Sequence, residues 1–550
     1  MRRYDYDYLV VGSGFGGSTA ALRLAEKGYS VAVLECGRRY EDADLPEATW
    51  QLPRAFWLPM LKLRGMLRVS PFKDVTVLSG SGVGGGSLVY SMVLLRAPDR
   101  TFDGPRWSAL ADWRAEMPRH YETAERMLGV ARYERDGVGD RLLRDVAEDL
   151  GVAGTYSKPT VGAFLGPPGE TVEDPYFDGA GPPRTGCTLC GNCMVGCRVG
   201  AKNILTKNYL YFAERAGVRI LPERLVTDIR PLGRSADGSE GFAVTSVTPG
   251  NALVRNPRTV NVRAVVVAAG TLGTNKLLQR CRLNGSLNVL SPRLGEGVRT
   301  NSESVLAVTA PDDRYDLSES VCISSSVWLD EHTHVEPVIY GTGGDLNSSL
   351  FSLLVDPGRR GTQPVRLLAA ALRDPRALLR ASNPYRWSRR TLLFMVMQSL
   401  DSSIRLRPWR RLRDGTVLLQ TEPEPGSPLP RPLPAAYDIA RRLAEKMGGT
   451  PQASLFEATL GTPVTAHFLG GAVIGADADH GVVDADLKVH GYENLMICDG
   501  SVLPTNLGVN PSLTITAVVE RAMERVPARA DRDPEPARRA SGEAPTMLAR

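Results

Sequence analysis

Cys187, Cys190, Cys193 and Cys197 follow the spacing C-x2-C-x2-C-x3-C, which puts half of the chain's eight cysteines into eleven residues. Thiolates this close converge only on a small, soft centre, and an iron–sulfur cluster suits them best. Structural zinc usually takes two C-x2-C pairs roughly a dozen or more residues apart, and no second pair is present. A single run suits a [3Fe–4S] cluster on three cysteines, or a [4Fe–4S] cluster that takes a remote fourth ligand. Reduced structural thiols are the alternative, ahead of zinc or disulfides.

A second concentration of chemistry is Gly12-Ser13-Gly14-Phe15-Gly16-Gly17. Gly12 permits a tight turn, Gly14 lets a pyrophosphate approach the backbone at a helix N-terminus, and Gly17 lets helix and strand pack closely. Glu35 lies 23 residues after Gly12, where a carboxylate meets ribose hydroxyls. The flanking residues supply the required elements. Asp7 to Val11 reads as a strand, Ser18 to Lys27 as a helix and Ser30 to Leu34 as a second strand, which together make a βαβ unit. Residues 79–91 hold five glycines, a density that suits backbone lying against a flat, bulky group. The strand Ala264 to Ala268 opens into Ala269-Gly270-Thr271-Leu272-Gly273 and offers glycine-rich backbone at another point along an extended cofactor.

Two further residues attract attention by type. Glu336 sits in the otherwise apolar run Val335 to Tyr340; turned inward it would have a raised pKa suited to moving protons, turned outward it would be a solvated edge residue. His467 stands among small and apolar residues, and alone such a histidine is more often a satisfied structural residue than a catalyst.

The dinucleotide motif, the run Ser79-Gly80-Ser81-Gly82-Val83-Gly84-Gly85-Gly86-Ser87-Leu88, the segment Val265 to Thr274 and the stretches Cys498-Asp499-Gly500-Ser501 and Gly508-Val509-Asn510-Pro511-Ser512 together resemble the glucose–methanol–choline (GMC) oxidoreductases, from about residue 5 to residue 526. The resemblance implies an α/β protein with a Rossmann-like FAD-binding domain and a second, substrate-binding domain on an antiparallel sheet. It implies FAD held through Gly12, Gly14, Gly17 and Glu35 at the ADP moiety, Val226 at the adenine, Gly84, Gly85, Gly86 and Ser87 near the flavin, Ala269 and Gly270 along the cofactor, and Asp499 with Gly500 at the ribityl chain. It also puts His467 and Asn510 in the places that face the flavin, where an imidazole and an amide handle the proton and oxygen of an alcohol. Asn510 in a Val-Asn-Pro context and Glu336 in Val-Glu-Pro resemble the steroid-oxidising, cholesterol oxidase-like actinobacterial members. In those, the carboxylate would move a proton from C4 to C6 and convert a 5-ene to a 4-ene ketone. Some family dehydrogenases carry an iron–sulfur cluster beside the flavin, which by analogy makes the cysteines an exit for electrons to a redox partner, with oxygen as the other acceptor.

The expected organisation is residues 1–304 mainly FAD-binding, including the cysteine-rich insertion 186–203, then 305–459 mainly substrate-binding. Residues 460–526 return to the first domain with His467 and Asn510, and 527–550 form a disordered tail rich in Pro, Ala, Arg and Glu. Residues 50–73, rich in large apolar and basic side chains, suit a lid or apolar mouth as well as a surface helix. Nine arginines among leucines and alanines over 359–390 suit either a solvated helical face or peripheral contact with an anionic membrane. A net charge of +5 over 550 residues does not point to nucleic acid. With no signal-peptide pattern and no run of about twenty apolar residues, a cytoplasmic protein is expected.

Overall fold

Tyr6–Val11 and Val31–Leu34 are strands because their Val, Leu and Ala runs are covered on both faces, as parallel sheets require. The computed structural model describes residues 4–250, 256–358, 361–412, 415–429 and 431–529. The first sheet runs in the order Arg219–Leu221, Val31–Leu34, Tyr6–Val11, Arg258–Val267, Phe242–Val247, Leu225–Pro231, and Leu495–Ile497 pairs with the end of Arg258–Val267. Its first four strands and Leu495–Ile497 are parallel, with Val10 beside Val33 and Val266; the last two are antiparallel. Gly12, Glu35, Ala268 and Cys498 therefore leave the carboxyl edge together, the edge at which open α/β sheets hold ligands.

Helix Phe15–Glu26 covers this sheet and packs on Ser512–Glu524 near the C-terminus. Arg23 Nε meets Glu520 Oε2 at 2.7 Å, and the Tyr209 hydroxyl donates to Glu520 at 2.5 Å, all three side chains being buried. Removing one partner of such a pair costs about 3–5 kcal/mol. The pair fixes the helix that Asn510 immediately precedes.

The second sheet is antiparallel throughout, in the order Val327–Trp328, Thr333–Val338, Thr391–Gln398, Ser304–Thr309, Thr450–Ser454, Phe351–Leu353. Thr333–Val338 is buried at every position. Val335 faces a core completed by helix Pro434–Met447, and Val338 faces the opposite cluster with Met395 and Ile323. Glu336 shares the face of Val338, because strand side chains alternate; of its two alternative orientations, the inward one is found.

Several local expectations are corrected. Residues 319–326 are a mostly buried loop rather than a strand, joined to neighbours by single bridges at Ser320 and Ser326, and the strand is confined to Val327–Trp328. Residues 393–408 divide at 399–403 into strands of two different sheets. Residues 52–64 form a four-residue helix and a short hairpin, not a surface helix, since Pro53 and Pro59 interrupt any longer one. The arginine-rich segment forms the helices Gln363–Arg373 and Pro375–Ser382, divided where Pro375 follows Asp374, and the short helix Trp387–Arg390. Arg359, Arg360 and residues 530–550, most of the expected disordered tail, lie outside the described residues.

Candidate active site

The glycines at the carboxyl edge show how closely the chain approaches itself there. Gly12 has φ +101°, and a Cβ on it would lie 2.3 Å from the Ala268 carbonyl oxygen. A Cβ on Gly17 would stand 2.1 Å from the Gly12 oxygen, the close helix–strand packing expected of that position. Gly14 behaves differently. A Cβ there would meet no heavy atom within 4 Å, because the N-terminus of helix Phe15–Glu26 opens into a cavity. Its first-turn amides have no partner within the helix, as suits a pyrophosphate.

The cavity has a volume of about 490 Å³ and runs from Gly12, Gly14 and Glu35 past Val226, Ala269 and Gly270 to Gly85, Gly86, Asp499 and Gly500, ending at His467 and Asn510. Thus the glycine motifs, the acid and the two C-terminal polar residues line one space, long and glycine-walled at one end and apolar at the other. Gly84 and Ser87 are not on its wall. Ser87 Oγ donates to the Gly84 oxygen at 2.7 Å and accepts the Leu205 amide at 3.1 Å, so both residues shape the turn behind it. Glu35 is engaged in the fold: its carboxylate accepts the amides of Ser13, Gly37 and Gly82 and stitches three loops together. Asp499 accepts the Thr274 hydroxyl at 2.5 Å and the Ser501 amide at 2.9 Å, and burial pushes its carboxyl up.

At the far end, Asn510 Nδ2 donates to Glu336 Oε2 at 3.2 Å. Glu336 Oε1 and Asn510 Oδ1 are buried without a partner among the described residues. Glu336 stands one layer behind the cavity wall, with Asn510 in front. Burial pushes its carboxyl up to about 7, with the Asn510 hydrogen bond and the His467 charge working against that rise. His467 Nδ1 contacts Glu303 Oε1. Burial pulls the imidazole down, but the Glu303 carboxylate more than offsets it, and His467 stands above the ordinary histidine range. Glu303 was not singled out by sequence: it precedes the alternating strand Ser304–Thr309, and no local pattern marks its burial. An imidazole and an amide beside a buried carboxylate, facing an apolar chamber of Val305, Ile323, Val338, Leu393, Met395 and Phe456, suit proton removal from a bulky apolar molecule.

The structure gives the expected cluster at the cysteine run no support. Cys193 is buried, Cys187 and Cys197 are half-buried and Cys190 is exposed, and all four are free thiols. Among the described residues no group of three or more His, Cys, Asp or Glu side chains is arranged to hold a metal ion. Leu189 and Gly191 within the loop both have positive φ. Lys202 is buried beside the run, donating to the carbonyls of Cys193 and Leu88 at 2.9 Å each. The run reaches the cavity only through Met194 and Val195.

Family profiles of GMC oxidoreductases match residues 183–298 and 431–518, and that of an FAD binding domain matches residues 7–41. Over 535 residues the chain is 43% identical to a cholesterol oxidase of Acinetobacter baumannii, covering 96% of both proteins. The chain belongs to the GMC oxidoreductase family. It is also 44% identical to a cholesterol oxidase of Mycobacterium tuberculosis, over 97% of this chain and 93% of that one. Among solved structures, pyridoxine 4-oxidase from Mesorbium loti superposes with a TM-score of 0.60 at 15% identity, covering 94% of this chain and 99% of that one. A fungal aryl-alcohol oxidase superposes at 0.57 and 16%, covering 95% and 99%. These likenesses show the fold: a Rossmann-like FAD-binding α/β architecture with a second, antiparallel sheet. As a GMC oxidoreductase, the protein is an FAD-dependent alcohol oxidoreductase. The cavity fits that cofactor, since glycine-walled backbone and open helix amides occupy one end and unpartnered polar atoms the other.

Proposed function

We propose that the protein oxidises the 3β-hydroxyl of a steroid, with oxygen as electron acceptor and hydrogen peroxide as second product, and then isomerises the 5-ene ketone to the 4-ene ketone. The observation that carries this reading is the 43% identity to a cholesterol oxidase along 96% of both chains. The apolar chamber ending at His467 and Asn510 supports it.

Gly12, Gly14, Val226, Gly85, Gly86, Ala269, Gly270, Asp499 and Gly500 would hold FAD along the cavity wall, with Gly17, Gly84, Ser87 and Glu35 shaping its loops. When bound, FAD supplies the acceptor for the hydride that leaves the carbinol carbon. His467 takes the hydroxyl proton through Nε2, the ring nitrogen left for the cavity once Nδ1 faces Glu303. Asn510 holds the same oxygen and orients the alcohol. Apolar walls exclude water from the reacting end. For the isomerisation, Glu336 takes the proton from C4 and returns it to C6, so that no proton is gained or lost overall. Its unpartnered Oε1 is the atom for this task, and Asn510 must turn aside from its 3.2 Å bond to admit it. Residues 1–304 with 460–526 would then mainly form the FAD-binding part and 305–459 mainly the substrate part.

The same reading assigns the cavity mouth to an anionic lipid surface that delivers the steroid. Trp50, Leu52, Leu58, Met60 and Leu61 are exposed next to the cavity-lining Thr49, Ala55 and Phe56. Helix Gln363–Arg373 packs beside Phe351–Leu353 and Leu455–Leu460, and presents Val365, Leu368 and Leu372 to solvent. Arg366, Arg373 and Arg376 are exposed beside them and supply the charge complementary to acidic headgroups. No described helix is long and apolar enough to cross a membrane, so the contact is peripheral. Replacing Leu368 and Leu372 together by Glu is expected to lower binding to phosphatidylserine vesicles at least about tenfold, while turnover of detergent-dispersed steroid is kept. Equal vesicle binding by both proteins would remove the assignment.

The substrate assignment is tested by peroxide formation with a panel of alcohols. Steroid-dependent peroxide is the expected result. Turnover only with a non-steroid alcohol and an artificial acceptor would refute it.

A further inference from the structure

Two consecutive non-glycine residues in the left-handed region are rare, and the chain has such a pair at Asn301 and Ser302, with φ of +55° and +46°. Each costs of order 1 kcal/mol, and such strain persists only where the surroundings over-determine it. The surroundings here are the two polar segments that end the cavity. Asn301 accepts the amides of Leu507 and Gly508 on its side-chain oxygen, donates from Nδ2 to the Val509 carbonyl, and its own amide donates to Asn506 Oδ1. The loop that carries Asn510 is thus bound to this one side chain. On the other side Arg299 and Leu469 exchange backbone hydrogen bonds at 2.8 and 2.9 Å, and the Thr465 hydroxyl donates to the Thr300 carbonyl at 2.9 Å.

The next residue after the strained pair is Glu303, whose carboxylate is fully buried and divided between two partners. Oε2 accepts the Ala466 amide at 2.7 Å, and Oε1 meets His467 Nδ1. Resting on the proposed alcohol oxidation at His467, we propose that Glu303 is the positioning residue of the site: it fixes the tautomer and direction of the imidazole so that Nε2 is presented to the alcohol, and stabilises the ring when it carries the proton. A carboxylate on Nδ1 is the arrangement by which an imidazole is kept in one tautomer and made a better base. The strained turn supplies what a regular strand entry would not, since it drives the carboxylate under residue 467 while Asn301 holds the Asn510 loop. Imidazole and amide are therefore registered against each other by one five-residue segment, 299–303. The other ionisable group acting on the ring is Glu336, across the cavity and already hydrogen-bonded to Asn510.

The test uses the FAD-loaded full chain labelled at histidine Cε1. The sequence has six histidines, and the His467 signal is assigned by its loss in His467→Gln. Titration without substrate reads the ring directly. In Glu303→Gln, which keeps an acceptor for the Ala466 amide, the His467 midpoint is expected to fall by at least about one pH unit. Anaerobic flavin reduction is expected to slow at least about tenfold, with the half-saturating alcohol concentration within about twofold, since Glu303 acts on the rate of proton transfer and not on alcohol binding. Glu303→Asp retains the charge at a shorter reach and should recover part of both. A Glu303→Gln protein that keeps FAD, titrates at the wild-type midpoint and reduces flavin at the wild-type rate would overturn the proposal. Should Glu303→Gln fail to fold, Glu303→Asp decides: a displaced midpoint supports the role and an unmoved one overturns it. Failure of the wild type to react with any 3β-hydroxysteroid would sink the substrate reading alone, because the His467 titration needs no substrate.

Discussion

Replacing His467 by Ala is expected to leave FAD bound and to slow anaerobic flavin reduction by alcohol about 10²–10⁴-fold, the range for loss of a positioned general base. The retention follows from geometry. His467 stands at the reacting end of the cavity, whereas the backbone that would hold the dinucleotide lies at the other end, around Gly12, Gly14 and Gly270. Loss of the imidazole also leaves the buried Glu303 carboxylate with only the Ala466 amide, so His467→Gln is the milder control. Stopped-flow absorbance at the flavin band measures the rate. Reduction within about twofold of wild type in both variants would take His467 out of the chemistry.

Glu336→Gln separates the two proposed reactions. Oxidation should survive at a reduced rate, because Glu336 touches Asn510 and not the cavity. Isomerisation should fall about 10²-fold or more, since a neutral amide cannot take the C4 proton. The 5-ene and 4-ene ketones are distinguished by the conjugated chromophore of the latter. The pH dependence has a defined sign. The active form is the carboxylate, and burial holds the group near 7. Wild-type isomerisation should therefore be full well above pH 7 and decline as pH falls through about 7. Equal loss of both reactions in Glu336→Gln would contradict a separate role.

The dinucleotide half of the fold was legible because its function imposes local rules. Gly12 and Gly17 each answer to a steric demand that only glycine meets, Gly14 leaves the helix N-terminus open to the cavity, and the strands beside them are largely apolar runs. His467, Asn510 and Glu336 were legible only through the ordered motifs around them, because each is a single polar residue in a stretch whose pattern is otherwise structural. Glu303 was not legible at all. Its importance arises from Asn301 and Ser302 adopting left-handed backbone against segments more than 160 residues away, and no window of sequence contains both sides of that contact. The cysteine run was legible as a motif and not as an arrangement in space. Its spacing describes what four thiols can reach, whereas among the described residues no three metal-ligating side chains are arranged to hold an ion. The stretch 393–408 has strand composition throughout, and only the interruption at Asp401 to Ser403, tied to Arg299, Ser302 and Ser427, divides it between two sheets.

The proposed chemistry asks for a 3β-hydroxysteroid at the cavity end formed by His467 and Asn510. Its most direct measurement is anaerobic flavin reduction by cholesterol and by its 3α epimer, followed by admission of oxygen. Bleaching of the flavin by the 3β alcohol, none or far slower bleaching by the epimer, and stoichiometric peroxide on reoxidation are the expected outcome. An oxidised spectrum that persists with the 3β-hydroxysteroid, while another class of alcohol bleaches it, would contradict the assignment.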